Sequence, residues 1–245
     1  MDAFASIRQA FSSYTRNIAG YFVSSLVYWI WMLVALGFPF GMFALSMLVL
    51  GAFAAGDIPS LLFSNIVLGA IFMLWMLFIF LLHAFFAGAG IGAFFNSCHS
   101  LAQGRAPSML ASIEYGIKNG GRFLALTVIF YALIAVFLLP ALISYLFLNN
   151  TLVSVALLLL GIGALALAKF LLMFAFPSAA IDNTTPLGAI VRSMRLVLSR
   201  LPQCIIFAIS ICIMGAILGP IPIINTFVFA PIAFTSLALF YKNAR

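Results

Sequence analysis

Few side chains in this chain could do chemistry, and their spacing does not bring them together. The two histidines, His83 and His99, are sixteen residues apart, which is about 24 Å along one continuous helix, so on such a helix they cannot share a metal ion. The three cysteines include no CxxC pair and are interpreted as small hydrophobic residues. The sequence contains no HExxH, no Gly-x-Ser-x-Gly turn and no phosphate-binding glycine loop. We therefore predict a protein that is not an enzyme, with no catalytic, cofactor-binding or metal-binding residue.

Three polar residues inside apolar segments are candidates for a role within the membrane, where such side chains are expensive and are usually functional or bonded to another helix. Lys169 lies eight residues before Pro177, close enough to a surface to snorkel to lipid headgroups, which we favour over a substrate or ion contact. Asp182 is a candidate partner for Lys169 across the following turn. His83 is interpreted as a hydrogen-bonded packing residue rather than a proton relay, and Asn65 as an amide that bonds a neighbouring helix.

The composition indicates that the surrounding solvent is a lipid bilayer. Of the 245 residues, 66% are hydrophobic and 6% are charged, whereas ordinary soluble domains carry about 25% charged residues. The net charge of +7 comes from basic residues beside apolar runs, a placement typical of contact with anionic lipid headgroups. We therefore expect membrane lipids as partners, with other membrane-protein subunits as further candidates, and we expect no nucleic acid.

The apolar runs predict about six spanning helices in one polytopic membrane domain, residues 1–245. The uncharged stretch 19–55 leaves two alternatives, one long helix kinked at Pro39 or two short passes. A single crossing puts ten of the eleven basic residues on one side, so the positive-inside rule favours it and places both termini in the cytoplasm. The glycines at 88, 90 and 92 are expected to loosen the end of the second span. The remaining spans are predicted at 61–87, 123–148, 152–176, 203–218 and 223–240.

Three amphipathic segments each precede a pair of spans, beginning near residues 2, 107 and 185. The third is the clearest, with Thr185 as helix cap, Pro186 at the first position and aliphatic residues recurring at helical spacing. Helices with aliphatic residues on one side and cations on the other are typical of a membrane interface. The expected lipid or partner surface consists of the basic residues of these segments: Arg8, Lys118, Arg122, Arg192, Arg195 and Arg200.

Aligning the three segments predicts an internal repeat. The alignment places Phe4, Leu110 and Leu187 at one position, and it continues with the sets Ile7, Ile113, Ile190; Ala10, Gly116, Ser193; and Phe11, Ile117, Met194. The expected fold class is therefore an all-α integral membrane protein with about six transmembrane helices. These form three repeats of an amphipathic interface helix plus a helical hairpin, at about 2–103, 106–178 and 185–243. Because the matching segments are short and apolar, chance similarity is the alternative.

The element order and the segment FAFPSAAIDNTTPLGAIVRSMRLVLSRLPQC resemble a group of poorly characterised prokaryotic six-span proteins. That group is similar to the membrane domain fused to some bacterial glycerophosphodiester phosphodiesterases. The resemblance implies the plasma (inner) membrane of a prokaryote, but the phosphodiesterase barrel is absent, so its activity is not carried over. The resemblance depends on six residues: Pro177, Asp182, Ala189, Arg192, Ser193 and Leu196.

Two functions follow as hypotheses. The first is a non-enzymatic scaffold or accessory subunit of a membrane assembly, or a lipid-organising protein, because basic interface helices recur while buried ionisable residues are scarce. The alternative is a transporter or channel for a small or lipidic substrate, because helix breaks at Pro39, Gly88–Gly92, Pro140 and Pro220 could line a path. The shortage of charge inside the spans weighs against coupled transport.

Overall fold

The computed structural model describes residues 3–53, 66–105, 108–148 and 151–244, and these ranges contain helices and turns but no strand. Three helices correspond to the amphipathic segments: α1 Ala3–Arg16, α4 Met109–Lys118 and α8 Pro186–Ser199. The long apolar helices are α2 Ile18–Phe53, α3 Ile66–Ala102, α5 Gly120–Leu148, α6 Thr151–Leu171, α9 Leu201–Leu218 and α10 Pro222–Ala244. A short helix, α7 Ala175–Ile181, follows α6, and α10 contains a π-helical turn at Asn225–Phe229.

The protein is an all-α multi-pass membrane protein, which confirms the predicted class. Six helices of the described part of the chain are long and apolar enough to cross a membrane. Their large apolar side chains face outward along much of their length, as Phe40 (71% exposed) and Leu48 (70% exposed) do. Such an apolar exterior is stable only against lipid.

The first pass is one helix, because α2 continues through Pro39. The expectation that Gly88–Gly92 loosens the second span is wrong, since α3 is helical through all of its glycines, and α5 likewise continues through Pro140. The fourth candidate span, Thr151–Ile181, includes the predicted range 152–176, and within it helix α6 ends at Leu171 before a turn leads into α7. The reversal before α10 lies between the predicted spans 203–218 and 223–240, since α9 ends at Leu218 and α10 begins at Pro222.

Two prolines in spanning helices leave a backbone carbonyl without its helical donor, because proline has no N–H to offer residue i−4. Pro39 deprives the carbonyl of Ala35, which instead accepts a hydrogen bond from His83 Nδ1 at 2.7 Å. Pro231 likewise offers no N–H just after the π-helical turn of α10, and the nearby Phe227 carbonyl accepts from the Tyr14 hydroxyl at 2.9 Å. Side chains from other helices thus satisfy groups that hydrocarbon cannot solvate.

Glycines let the spanning helices approach closely. A Cβ added to Gly88 of α3 would lie 2.6 Å from the Phe123 carbonyl oxygen of α5, inside van der Waals contact with backbone. Gly161 of α6 similarly abuts the Phe137 carbonyl oxygen of α5. Small residues at helix contacts are the usual means of close packing in membranes, so these glycines have a packing role rather than a hinge role.

The interface helices pack in a cyclic order around the end of the bundle that carries most of the basic residues, called the basic end below. We number the predicted repeat units as unit 1 (α1–α3), unit 2 (α4–α7) and unit 3 (α8–α10). Helix α4 of unit 2 packs on α3 of unit 1, α8 of unit 3 packs on α6 and α7 of unit 2, and α1 of unit 1 packs on α10 of unit 3. Helices α3, α7 and α10 contact one another at the centre.

Aligned positions of α1, α4 and α8 share their burial. The set Ser6, Ser112 and Ala189 is buried, and so is the set Ala10, Gly116 and Ser193. The set Phe4, Leu110 and Leu187 is exposed, and so is the set Phe11, Ile117 and Met194. Each helix therefore turns small residues toward the bundle and large apolar residues outward. This agreement is what a repeat would produce, and the repeat itself stays a prediction.

Candidate functional site

The break between α6 and α7 sets the position of α8. The last turn of α6 leaves the Leu171 carbonyl without a helical donor, and Ser193 Oγ donates to it at 2.8 Å. The Ser193 Oγ atom also accepts from the Phe174 N–H at 3.0 Å. One buried serine thus satisfies a donor and an acceptor released by the break, and it fixes α8 against unit 2.

A carboxylate at the end of α7 organises the polar side chains beside α8. Asp182 Oδ2 accepts from the Tyr241 hydroxyl at 2.6 Å and from Arg192 Nη1 at 3.1 Å. The Asp182 side chain is 10% exposed and that of Arg192 is 55% exposed. The sequence-based pairing of Asp182 with Lys169 is therefore wrong, because Arg192 follows Asp182 by ten residues and folds back over it.

A cleft opens between α8 and the end of α10. Its volume is about 350 Å³, at the lower end of the range of about 300–1,000 Å³ typical of ligand sites. Arg195 is exposed and has no hydrogen-bonded partner among the described residues. Arg192 is held by Asp182, and the described lining carries two guanidinium groups and one carboxylate, which is a net positive charge. The cleft is lined by Asp182, Arg192, Arg195, Leu196, Ser199, Tyr241 and Ala244.

In unit 2, long side chains from α4 and α5 bond to the end of α7. Arg122 Nη1 donates to the Ala179 carbonyl at 3.1 Å and to Asn183 Oδ1 at 3.0 Å. The Tyr115 hydroxyl donates to the Ala180 carbonyl at 2.7 Å. Burial raises the pKa of Tyr115 to about 12, against an opposing effect of the Arg122 charge. Arg122 thus joins α5 to the end of α7 and the turn that follows it, and it is not a freely exposed cation.

The other predicted surface cations do not join this cleft. Arg8 lies on the outward face of α1 with Phe4 and Phe11, and Lys118 is exposed in the last turn of α4. Arg200 is the residue between α8 and α9, where its N–H bonds the Leu196 carbonyl. The structure therefore brings Arg192 and Arg195 together and distributes Arg8, Lys118 and Arg200 around the basic end.

The predicted intramembrane residues have separate surroundings. His83 bonds the Ala35 carbonyl through Nδ1 and lies 2.8 Å from the Tyr131 hydroxyl through Nε2. Because a carbonyl only accepts, Nδ1 carries the proton in this arrangement. Lys169 is exposed in the last turn of α6, as a snorkelling lysine would be. Asn65 lies outside the described residues. Within the described ranges, no three His, Cys, Asp or Glu side chains are placed to hold a metal ion.

Sequence reasoning missed two residues of the cleft. Tyr241 lies just beyond the last predicted span, 223–240, yet it is buried and bonds Asp182. Ser199 is a small residue at the end of α8, and its significance depends on its predicted counterpart Arg122, whose long side chain reaches the Ala179 carbonyl of α7. The repeat alignment, extended five residues beyond the last apolar match, would have revealed that exchange.

Comparisons with known proteins identify no relative. No family model, no curated protein and no solved structure matches this chain. The function is therefore inferred below from the geometry of the interface helices and the cleft.

Proposed function

We propose that this multi-pass membrane protein is a non-enzymatic scaffold or accessory subunit of a membrane assembly that organises anionic lipid around itself. One observation carries the proposal. Each interface helix buries small residues against the bundle and exposes a large apolar residue beside a cation. The pairs are Phe11 with Arg8 on α1, Ile117 with Lys118 on α4, and Leu198 with Arg195 on α8.

This arrangement suits the boundary between acyl chains and headgroups. Exposed aliphatic and aromatic side chains gain free energy by entering the acyl region, while cations remain with the headgroups. Each Lys or Arg near an anionic surface contributes about 1 kcal/mol of attraction. On the positive-inside rule the basic end faces the cytoplasm, and with the predicted resemblance the membrane would be the plasma membrane of a prokaryote.

Two features support a scaffold over a transporter or channel. The proposed path-lining breaks are occupied, because His83 bonds the carbonyl freed at Pro39 and the Phe123 backbone packs against Gly88. Clefts of about 420 and 410 Å³ open within the α2–α3 and α5–α6 hairpins, and their walls are mainly apolar. An ion or polar solute would have few groups there to replace its water.

The proposal is tested by measuring which lipids accompany the protein out of its membrane. We expect protein extracted in polymer nanodiscs to be enriched in anionic over zwitterionic phospholipid relative to the bulk membrane. Replacing Arg192, Arg195 and Arg200 by Gln should reduce that enrichment. The matched control replaces the same three arginines by Lys, which retains every positive charge and should retain the enrichment.

Two results would contradict the proposal. One is equal lipid composition in wild type and the interface-helix variant. The other is substrate flux in proteoliposomes that survives neutralisation of the interface helices, which would favour the transporter.

A further inference from the structure

The cleft between α8 and α10 is lined differently from the corresponding region of unit 2. In the predicted repeat alignment, Ser199 at the end of α8 corresponds to Arg122 in the first turn of α5, and Arg192 of α8 corresponds to Tyr115 of α4. In unit 2 the long side chains of Arg122 and Tyr115 reach the end of α7 and bond its carbonyls. In unit 3 the serine is short, its hydroxyl bonds the Leu196 carbonyl at 3.0 Å, and no side chain of the described residues fills the space.

The polar walls of this cleft are preorganised. Asp182 is largely buried and holds Arg192 at 3.1 Å and the Tyr241 hydroxyl at 2.6 Å. Tyr241 is itself buried, with its hydroxyl 3.0 Å from that of Ser178. Arg192 therefore cannot swing away without breaking an ion pair, and its remaining N–H groups stay available beside those of Arg195. Guanidinium forks are the groups best suited to phosphate oxygens.

The surroundings of the cleft favour a ligand that carries acyl chains. Arg195 stands on α8 between Val191 (53% exposed) and Leu198 (61% exposed). Leu196 and Ala244 supply apolar walls inside the cleft. A phosphate group held by the arginines would therefore be continuous with an apolar surface along the same helix.

We infer that this cleft is a binding site for the phosphate group of one anionic phospholipid molecule, with Arg192 and Arg195 contacting the phosphate and Asp182 positioning Arg192. The inference rests on the proposed function. The interface helices attract anionic lipid diffusely, whereas the cleft would bind a single headgroup and could be saturated. The shared chemistry with a soluble ligand is the phosphate group itself.

The test counts bound lipid on the delipidated, detergent-purified full chain by native mass spectrometry. The probes are dioleoylphosphatidylglycerol, dioleoylphosphatidylcholine and inorganic phosphate, each added alone. We expect one phosphatidylglycerol to bind before any others, and Arg195→Gln to weaken that first event by about tenfold to a hundredfold, as for one lost charge-assisted hydrogen bond. Lys118→Gln removes an exposed cation from α4 and should leave the first event unchanged.

A second variant separates a built cleft from general attraction. Ser199→Leu fills the space and retains every charge, so the inferred site predicts a loss comparable to that of Arg195→Gln. Arg195-dependent binding of inorganic phosphate without lipid binding would support the phosphate site and assign it to a soluble anion.

Two outcomes would overturn the inference. Equal weakening by Arg195→Gln and Lys118→Gln, with Ser199→Leu unaffected, would leave only diffuse attraction, and the proposed function would stand without the site. If neither the wild type nor any variant prefers phosphatidylglycerol over phosphatidylcholine, both the inferred site and the proposed function are wrong.

Discussion

Replacing His83 by Phe should destabilise the protein chiefly through a backbone carbonyl on another helix. Pro39 gives Ala35 no helical donor, and the His83 Nδ1–H supplies one at 2.7 Å. A buried acceptor left unsatisfied costs about 1–3 kcal/mol, while hydrogen bonds between membrane helices average about 0.6 kcal/mol and reach about 1.7. We therefore expect His83→Phe to lower the free energy of unfolding by about 1–2 kcal/mol. Phenylalanine retains a ring for stacking on Tyr131, whose centroid lies 5.7 Å away.

The double-mutant cycle with Pro39→Ala isolates this mechanism. Alanine at 39 restores an N–H four residues after Ala35, so the carbonyl regains a donor within α2 and no longer depends on His83. His83→Phe should then cost about 1 kcal/mol less in the Pro39→Ala background than in wild type. Tyr131→Phe is the control, because it removes the second partner of His83 and leaves the Ala35 carbonyl bonded.

The assay is reversible unfolding in mixed micelles of mild detergent and dodecyl sulfate, followed by helical circular dichroism. The cost of His83→Phe is measured once in wild type and once in the Pro39→Ala background, each against its own parent. The effect of the proline on the unfolded chain is then common to both members of each pair. The reasoning is refuted if the two substitutions are additive within about 0.3–0.5 kcal/mol, the usual scatter for independent sites.

Three further predictions concern packing and pH. Ser193→Ala should cost about 2 kcal/mol, because it orphans a carbonyl and an N–H at the break after α6, whereas Ser199→Ala in the same assay should cost under about 0.5 kcal/mol. Gly88→Ala should destabilise by about 1–3 kcal/mol, because the Phe123 carbonyl cannot retreat without moving α5, and loss of an engineered α3–α5 cross-link would report the displacement. Tyr115 has its folded-state pKa raised from 10.0 to about 12, so the unfolded chain loses the proton first. Stability should therefore fall as pH rises from about 10 to about 12, and Tyr115→Phe should remove that part of the decline in alkaline unfolding curves.

Much of the fold was predictable because bilayer physics restricts the choices. The apolar runs predict spans, the charge distribution predicts which loops share a side, and Thr185 with Pro186 predicts the start of α8. The structure has Thr185 Oγ1 accepting from the Gly188 N–H at 3.2 Å, as a capping threonine should. These signals are local, since each depends on a window of residues and the surrounding solvent.

The cleft was not predictable in this way because it depends on tertiary contacts. Nothing near Asp182 in the sequence indicates that Tyr241 bonds it, 59 residues away. Lys169 was the obvious cation for Asp182 by distance along the chain, but the break after α6 moves α8 over the carboxylate and presents Arg192 instead. The sequence does indicate that Pro39 leaves the Ala35 carbonyl without a helical donor. Assigning His83 as the replacement donor also requires knowing that α3 packs against α2.

The motif behind the predicted family resemblance has a structural explanation in this chain. Pro177 is buried in α7, and Ala189 and Leu196 are buried where α8 meets the bundle. Ser193 satisfies the α6 break, and Arg192 closes over Asp182. A pattern whose members all fix one helix against another specifies how units join and requires no reaction at the site.

Because the interface helices pack in a cyclic order, α1 packs mainly against α10, which is synthesised after it. Ala3 belongs to the same buried cluster as Tyr241 and Ala244, and Ala10 packs with Ile232 and Leu239. Helix α1 is synthesised before α10, which supplies most of the surface that buries it. The two later interface helices, α4 and α8, dock on hairpins already synthesised, so only α1 must wait. Docking of α1 therefore joins the first unit to the last, and the same contact brings the end of α10 beside α8, where Tyr241 completes the cleft.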